Sequence, residues 1–274
     1  MRIGIMQGRL LPQKGPYQCF PFEGWEREFS AASEAGLACI EWIYDVGGAS
    51  ANPIATEEGL DEVGRLSQAC RVSVRSVCAD YFMDRPFLRC SDAERGERVE
   101  TLRWLLRRCA RLGAGRVVLP FVDQSRIETT EERNAVAALL GAVLPEAETS
   151  GVELHLETSL APPEFEGLLE TVRHPLVRVT YDSGNSASLG YPVAEEWRRY
   201  SARIGSVHIK DRILGGGTVP LGTGDADFDE LFAWIRKTRY DGDLILQAAR
   251  QTPGEELLLA RKNRRFVERY LEAA

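Results

Sequence analysis

Short apolar or alternating runs recur along the chain at 3–7, 39–43, 72–78, 117–120, 152–157, 177–182, 204–209 and 244–247. Their length and composition predict eight β-strands. The segments between them change period. Leu102, Leu105, Leu106, Cys109 and Leu112 share one helical face, as do Val136, Leu139, Leu140, Val143 and Leu144. Leu231, Trp234 and Ile235 mark a shorter helix, and Leu259, Phe266 and Tyr270 mark the last. Thr130 ahead of Glu131 and Glu132 places negative charge at a helix start. Gly36, Gly113 and Gly151 stand where helices should stop and turn into strands. Eight alternating units predict a parallel α/β architecture that closes as a (β/α)8 TIM barrel. The rival, an open doubly wound sheet, would carry a glycine-rich phosphate turn after its first strand, and MQGRLLP is no such turn. No Pro-, Gly- or Ser-rich linker divides the chain, so residues 1–274 are expected to form one domain.

Composition adjusts this picture only slightly. The 274 residues fit one barrel, and 44% hydrophobic with 27% charged residues is ordinary for a globular protein. A net charge of −7 argues against a nucleic-acid partner, which would require basic surface. Cysteines at 19, 39, 70, 78, 90 and 109 form no C-x-x-C pair and read as reduced thiols. No apolar run reaches the ~20 residues that span a bilayer, and no signal-like segment opens the chain. A soluble, cytoplasmic protein is expected, with no membrane partner.

Strand parity supplies the candidate chemistry. Val152, Leu154 and Leu156 share one face of the fifth strand, which leaves Glu153, His155 and Glu157 on the other. In the sixth strand Arg178, Thr180 and Asp182 oppose the apolar set; in the seventh, Ser206, His208 and Lys210 do so; in the eighth, Ile245 and Gln247. The apolar face must pack on helices, so the polar set points into the barrel. Glu157, Asp182, His208 and Gln247 therefore project inward at the C-terminal ends of four successive strands. Neighbouring strands are about 4.8 Å apart, so these groups can converge on one ion. Barrel enzymes place their chemistry at this end. Two carboxylates, one imidazole and one amide oxygen suit Mn²⁺ best; Mg²⁺, Co²⁺, Zn²⁺ and Fe²⁺ are compatible.

At these residues the chain resembles the xylose isomerase-like superfamily of TIM barrels, in particular its sugar-phosphate isomerase/epimerase group. The matching stretches are HLET at 155–158, YDSGN at 181–185, VHIKD at 207–211, PLGTGDADF at 220–228 and LILQ at 244–247. The opening MRIGIM and the IEW at 40–42 are similar too. The resemblance implies a divalent-metal-dependent isomerase or epimerase acting on a small polyhydroxylated substrate through an enediolate. Its metal ligands fall on Glu157, Asp182, His208 and Gln247, with Glu157 as the catalytic carboxylate.

The chain departs from that pattern at position 247, where the family usually carries a second glutamate for proton transfer. An amide can ligate through oxygen but cannot act as that base. Glu41, His155 or Lys210 are candidates for a second group. Glu41 has inward parity on the second strand, and His155 lies one inward step below Glu157. Asn185 stands where relatives carry a histidine, so its amide is a candidate for a substrate hydroxyl. Lys210 and Arg212 are candidates to hold a carboxylate or phosphate. The glycines at 215–217, 222 and 224 suggest a mobile loop over the mouth. Two alternatives stay open: a lyase of the inosose dehydratase type, and a non-catalytic sugar-binding relative. The superfamily's apurinic endonucleases need many histidines for three zinc ions, and this chain has three. Relatives commonly form homo-oligomers.

Overall fold

A computed structural model describes residues 1–12 and 17–272. Eight parallel strands close on one another: β1 (Arg2–Met6), β2 (Cys39–Ile43), β3 (Ser73–Cys78), β4 (Arg116–Phe121), β5 (Glu153–Thr158), β6 (Val177–Asp182), β7 (Ile204–Ile209) and β8 (Asp243–Leu246). Their order is β1-β8-β7-β6-β5-β4-β3-β2, and β1 seals the ring by pairing with both β2 and β8. This is the TIM barrel that the alternation of periods predicts, with no strand end displaced by more than one residue.

The outward parity is apolar because it packs beneath helices. Leu154, Leu156, Val177, Val207 and Leu244 are all fully buried. The helices Asp92–Leu112 and Thr130–Ser150 turn their leucine and valine faces toward the barrel. Helix stops fall on Gly36, Gly113 and Gly151, each in the left-handed region at φ of 74°, 79° and 64°. One start lies a residue earlier than the sequence suggests. Thr129, not Thr130, is the cap, and its hydroxyl accepts the Glu132 N–H at 3.1 Å.

The two ends of the barrel differ in chemistry. At the N-terminal end, Asp243 is buried between arginines: Arg116 bonds Oδ2, and Arg75 Nε donates to it at 2.8 Å. Burial opposes the charge on Asp243, but the Arg116 and Arg75 guanidiniums together hold the carboxyl below its ordinary range. One layer in, His155 Nδ1 meets Ser206 Oγ at 2.8 Å, Nε2 meets Glu153 Oε2 at 2.7 Å, and Ser206 meets Thr180 at 2.8 Å. The next layer, at the C-terminal mouth, holds Glu157, Asp182 and His208.

The six cysteines form no disulfide among the described residues, and Cys39, Cys78 and Cys109 are buried. No helix among the described residues is long and apolar enough to cross a membrane.

Candidate metal centre

Adjacent strand ends bring the three central groups together. Asp182 pairs in register with His208 across β6 and β7, and Glu157 ends the inward parity of β5. One ligand-type atom from each of Glu157, Asp182 and His208 lies within 4.8 Å of the others, and all three residues are buried. His208 Nδ1 stands 3.5 Å from Glu157 Oε2 and 3.8 Å from Asp182 Oδ2.

Each group is aimed by a neighbour. Glu41 Oε1 takes the other ring nitrogen of His208 at 2.7 Å, and Ser76 Oγ donates to Glu41 Oε2 at 2.6 Å. When the ring is neutral and donates Nε2–H to Glu41, the imidazole presents a lone pair at Nδ1. Asn185 Nδ2 donates to Glu157 Oε1 at 2.5 Å, which turns Oε2 toward the centre. Asp182 divides its carboxylate: Oδ1 accepts the Asn185 N–H at 2.8 Å and caps the helix Ser183–Leu189, while Oδ2 faces inward. Ser183 Oγ donates to Lys210 O at 2.7 Å and ties the end of β6 to that of β7.

Gln247 follows β8, and its Nε2 donates to Gln18 Oε1 at 2.9 Å, leaving its own oxygen toward the mouth. Asp182 Oδ2, His208 Nδ1 and Gln247 Oε1 are buried and have no hydrogen-bond partner among the described residues. A buried acceptor without a partner costs about 1–3 kcal/mol. Asp182 Oδ2 and His208 Nδ1 converge with Glu157, and buried oxygen and nitrogen acceptors without partners fit a divalent cation.

The electrostatics agree with that fit. Burial, then the nearby Asp182 charge, pushes the Glu157 carboxyl up from its ordinary range. For Asp182, burial acts upward as well, but the Lys210 ammonium at 3.5 Å and His208 pull it down. His208 is buried, which opposes its charge, yet Glu41 and the facing carboxylates raise its proton affinity well above that of a free imidazole. Glu157 and Asp182 repel one another across the centre, and a cation there would relieve that repulsion.

A cavity of about 1050 Å³ opens above these groups. Glu157, Gln247, Asn185, Lys210 and Arg212 line it, together with Gln18 and Asp80. Arg212 Nη1 and Lys210 Nζ both approach Asn185 Oδ1, at 2.9 Å and 3.4 Å. Four residues singled out from the sequence, Asp182, His208, Glu41 and His155, do not line it. Glu41 stands behind His208, and His155 is held in the layer below by Glu153 and Ser206.

Three polar residues at the mouth escape the sequence reading. Gln18 and Asp80 come from loops after β1 and β3, where strand parity no longer indicates direction. Asp211 looks like part of a solvated Lys-Asp-Arg turn but is fully buried. It accepts the N–H groups of Gly222, Thr223, Gly224 and Ala226 at 2.8, 3.1, 2.9 and 3.1 Å. A Cβ on Gly224 would meet Asp211 Oδ1 at 2.3 Å and Arg212 O at 2.7 Å. The glycines expected to loosen this loop instead let it wrap around one carboxylate. A short ladder of Asp211–Arg212 with Thr218–Val219 completes its base.

Comparison with known proteins agrees with the fold. The profile of the xylose isomerase-like TIM barrel family matches residues 29–270. The inosose dehydratase of Clostridium tetani is 29% identical over 176 residues, 54% of this chain and 59% of the relative. The chain thus spans about three fifths of that dehydratase's length. The crystal structure of the IOLI protein with a bound zinc atom superposes with a TM-score of 0.79 at 17% identity, covering 98% of this chain and 99% of that one. D-psicose 3-epimerase of Clostridium cellulolyticum H10, solved with D-tagatose, gives 0.78 at 14% identity and covers 99% of both chains. At such identities the structural likeness concerns the fold.

Proposed function

The chain belongs to the xylose isomerase-like TIM barrel family, and from that premise we propose that it is a divalent-metal-dependent isomerase or epimerase of a sugar or sugar derivative. The observation that carries this reading is the convergence of Glu157, Asp182 and His208 at one buried point of the barrel mouth. Gln247 Oε1 would join them as a fourth ligand. When bound, a divalent cation, Mn²⁺ by preference for this oxygen-rich set, supplies Lewis-acid stabilisation of negative charge on the substrate oxygens.

The chain's own groups perform the rest. Glu157 takes the proton from the carbon beside the substrate carbonyl. Asn185 keeps that carboxylate turned toward the centre. Lys210, Arg212 and Asn185 line the cavity and bind substrate hydroxyls or an anionic group on the substrate. The cavity accommodates a monosaccharide-sized polyol.

The test is solvent exchange. Mn²⁺-loaded protein incubated with 2-ketopentoses, 2-ketohexoses, their phosphates and keto-inositols in D₂O should place deuterium at the α-carbon. Glu157→Gln should lower incorporation by roughly 100-fold or more. A sugar that binds without exchange would identify a binding protein instead.

One observation favours a second reading. The amide at 247 leaves one carboxylate among the four ligand positions' usual proton-transfer pair, and one base suffices for elimination of water from a β-hydroxy ketone. An inosose dehydratase is among the relatives that match. Appearance of a conjugated enone in the same incubations would identify that chemistry.

A further inference from the structure

The cavity holds a buried carboxyl that this chemistry has not yet used. Asp80 follows β3 at the mouth, is 9% exposed and lines the same cavity as Glu157 and Gln247. Its Oδ2 accepts Gln18 Nε2 at 2.8 Å, and its Oδ1 accepts the Cys78 thiol at 3.2 Å. Neither partner is cationic. Gln18 in turn accepts Gln247 Nε2 at 2.9 Å and Arg9 Nη2 at 3.2 Å on its oxygen. One amide thus bridges position 247 to a carboxyl: Gln247 donates to Gln18, and Gln18 donates to Asp80.

We infer that Asp80 is the second proton-transfer group of this site, supplying from the end of β3 the carboxyl that position 247 lacks. Arg9 and Asp80 hold the two ends of the Gln18 amide, so the same bridge turns the oxygen of Gln247 toward the mouth. Burial, with the charges of Asp45 and Glu41 added, pushes Asp80 up to about 6 against the bonds from Gln18 and Cys78. A carboxyl in that range retains protonated molecules near neutral pH and can donate.

Asp80 has this part only if Glu157 removes a proton as proposed above. The substrate C–H bond breaks, its proton goes to Glu157, and its electron pair enters the enediolate. The Asp80 carboxylic acid then gives its proton to that carbon, the enediolate pair forms the new C–H bond, and Asp80 is left as carboxylate. Exchange with solvent returns Glu157 to carboxylate and Asp80 to acid. In the elimination reading the same Asp80 proton joins the departing hydroxyl, which leaves as water.

The experiment compares wild type, Asp80→Asn and Asp80→Glu, all Mn²⁺-loaded, with the ketose and keto-inositol panel in D₂O. Two rates are followed: deuterium entering recovered substrate, and net conversion to epimer or enone. Asp80→Asn should cut conversion by roughly 100-fold or more while exchange changes by only a few-fold, because Glu157 still takes and returns the proton. Asp80→Glu should recover part of the conversion. A purely structural role would lower both rates together, and that result overturns the assignment, as does wild-type conversion in Asp80→Asn. A wild type that exchanges nothing overturns the Glu157 reading, and the role of Asp80 falls with it.

Discussion

Glu41 Oε1 and His208 Nε2 are 2.7 Å apart, while Nδ1 of the same ring faces Glu157 and Asp182. The carboxylate therefore fixes which nitrogen is offered to the centre. Replacing Glu41 by Gln retains an acceptor but removes its charge. Mn²⁺ affinity should fall roughly 10- to 100-fold, as for other groups that orient a metal-bound histidine. Isothermal titration of wild type and Glu41→Gln measures it. Equal affinities would mean that Glu41 serves only to fill the barrel.

The loop after β7 tests a packing claim. Gly224→Ala would place a methyl 2.3 Å from Asp211 Oδ1 and 2.7 Å from the Arg212 carbonyl. The backbone oxygen cannot swing aside, so the loop must leave its carboxylate. A loss of about 1–3 kcal/mol is expected from such overpacking. Chemical unfolding reads the stability, and weaker substrate binding should accompany it because Lys210 and Arg212 flank Asp211.

Glu28 gives the pH dependence of stability an identifiable source away from the metal centre. Glu28 is fully buried beneath the loop after β1, and its carboxylate accepts the Gly8 N–H at 2.8 Å. Burial raises it from 4.5 to about 7, despite those backbone bonds. An acid raised in the folded state binds its proton more tightly there than in the unfolded chain. Its contribution is therefore fully present below about 4.5, is lost as pH rises toward about 7, and changes no further above that. The span corresponds to about 3 kcal/mol at most. Urea unfolding of wild type and Glu28→Gln at pH 5 and pH 8 should show a smaller decline in the variant; parallel declines would refute it.

At the opposite end of the barrel, Asp243→Asn would retain an acceptor for Arg116 and Arg75 but remove the charge that they share. Breaking a buried ion pair on one side costs about 3–5 kcal/mol. The melting temperature should fall with little change in metal affinity, since the network lies at the far end from Glu157. A variant as stable as wild type would show that the arginines do not need that charge.

Strand parity made most of this site legible in the sequence. A side chain on β5, β6 or β7 has two directions available, and burial of Leu154, Val179 and Val207 against helices leaves one for Glu157, Asp182 and His208. Parity gives a face but says less about depth. His155 shares the face of Glu157, yet Glu153 and Ser206 close its layer off from the cavity. Beyond the strand ends the rule has no hold. Gln18 and Asp80 sit on irregular backbone, where only the folded path shows which way they point. Asp211 was hidden for another reason: its partners are four backbone N–H groups, which residue types do not display.

The central claim concerns a single point in space, the convergence of Glu157, Asp182 and His208. A crystal grown with Mn²⁺ and measured on both sides of the manganese absorption edge addresses it directly. The account predicts one anomalous peak within about 2.0–2.4 Å of Glu157 Oε2, Asp182 Oδ2 and His208 Nδ1, with Gln247 Oε1 as a further ligand. A fully loaded crystal with no peak among these three residues would contradict it.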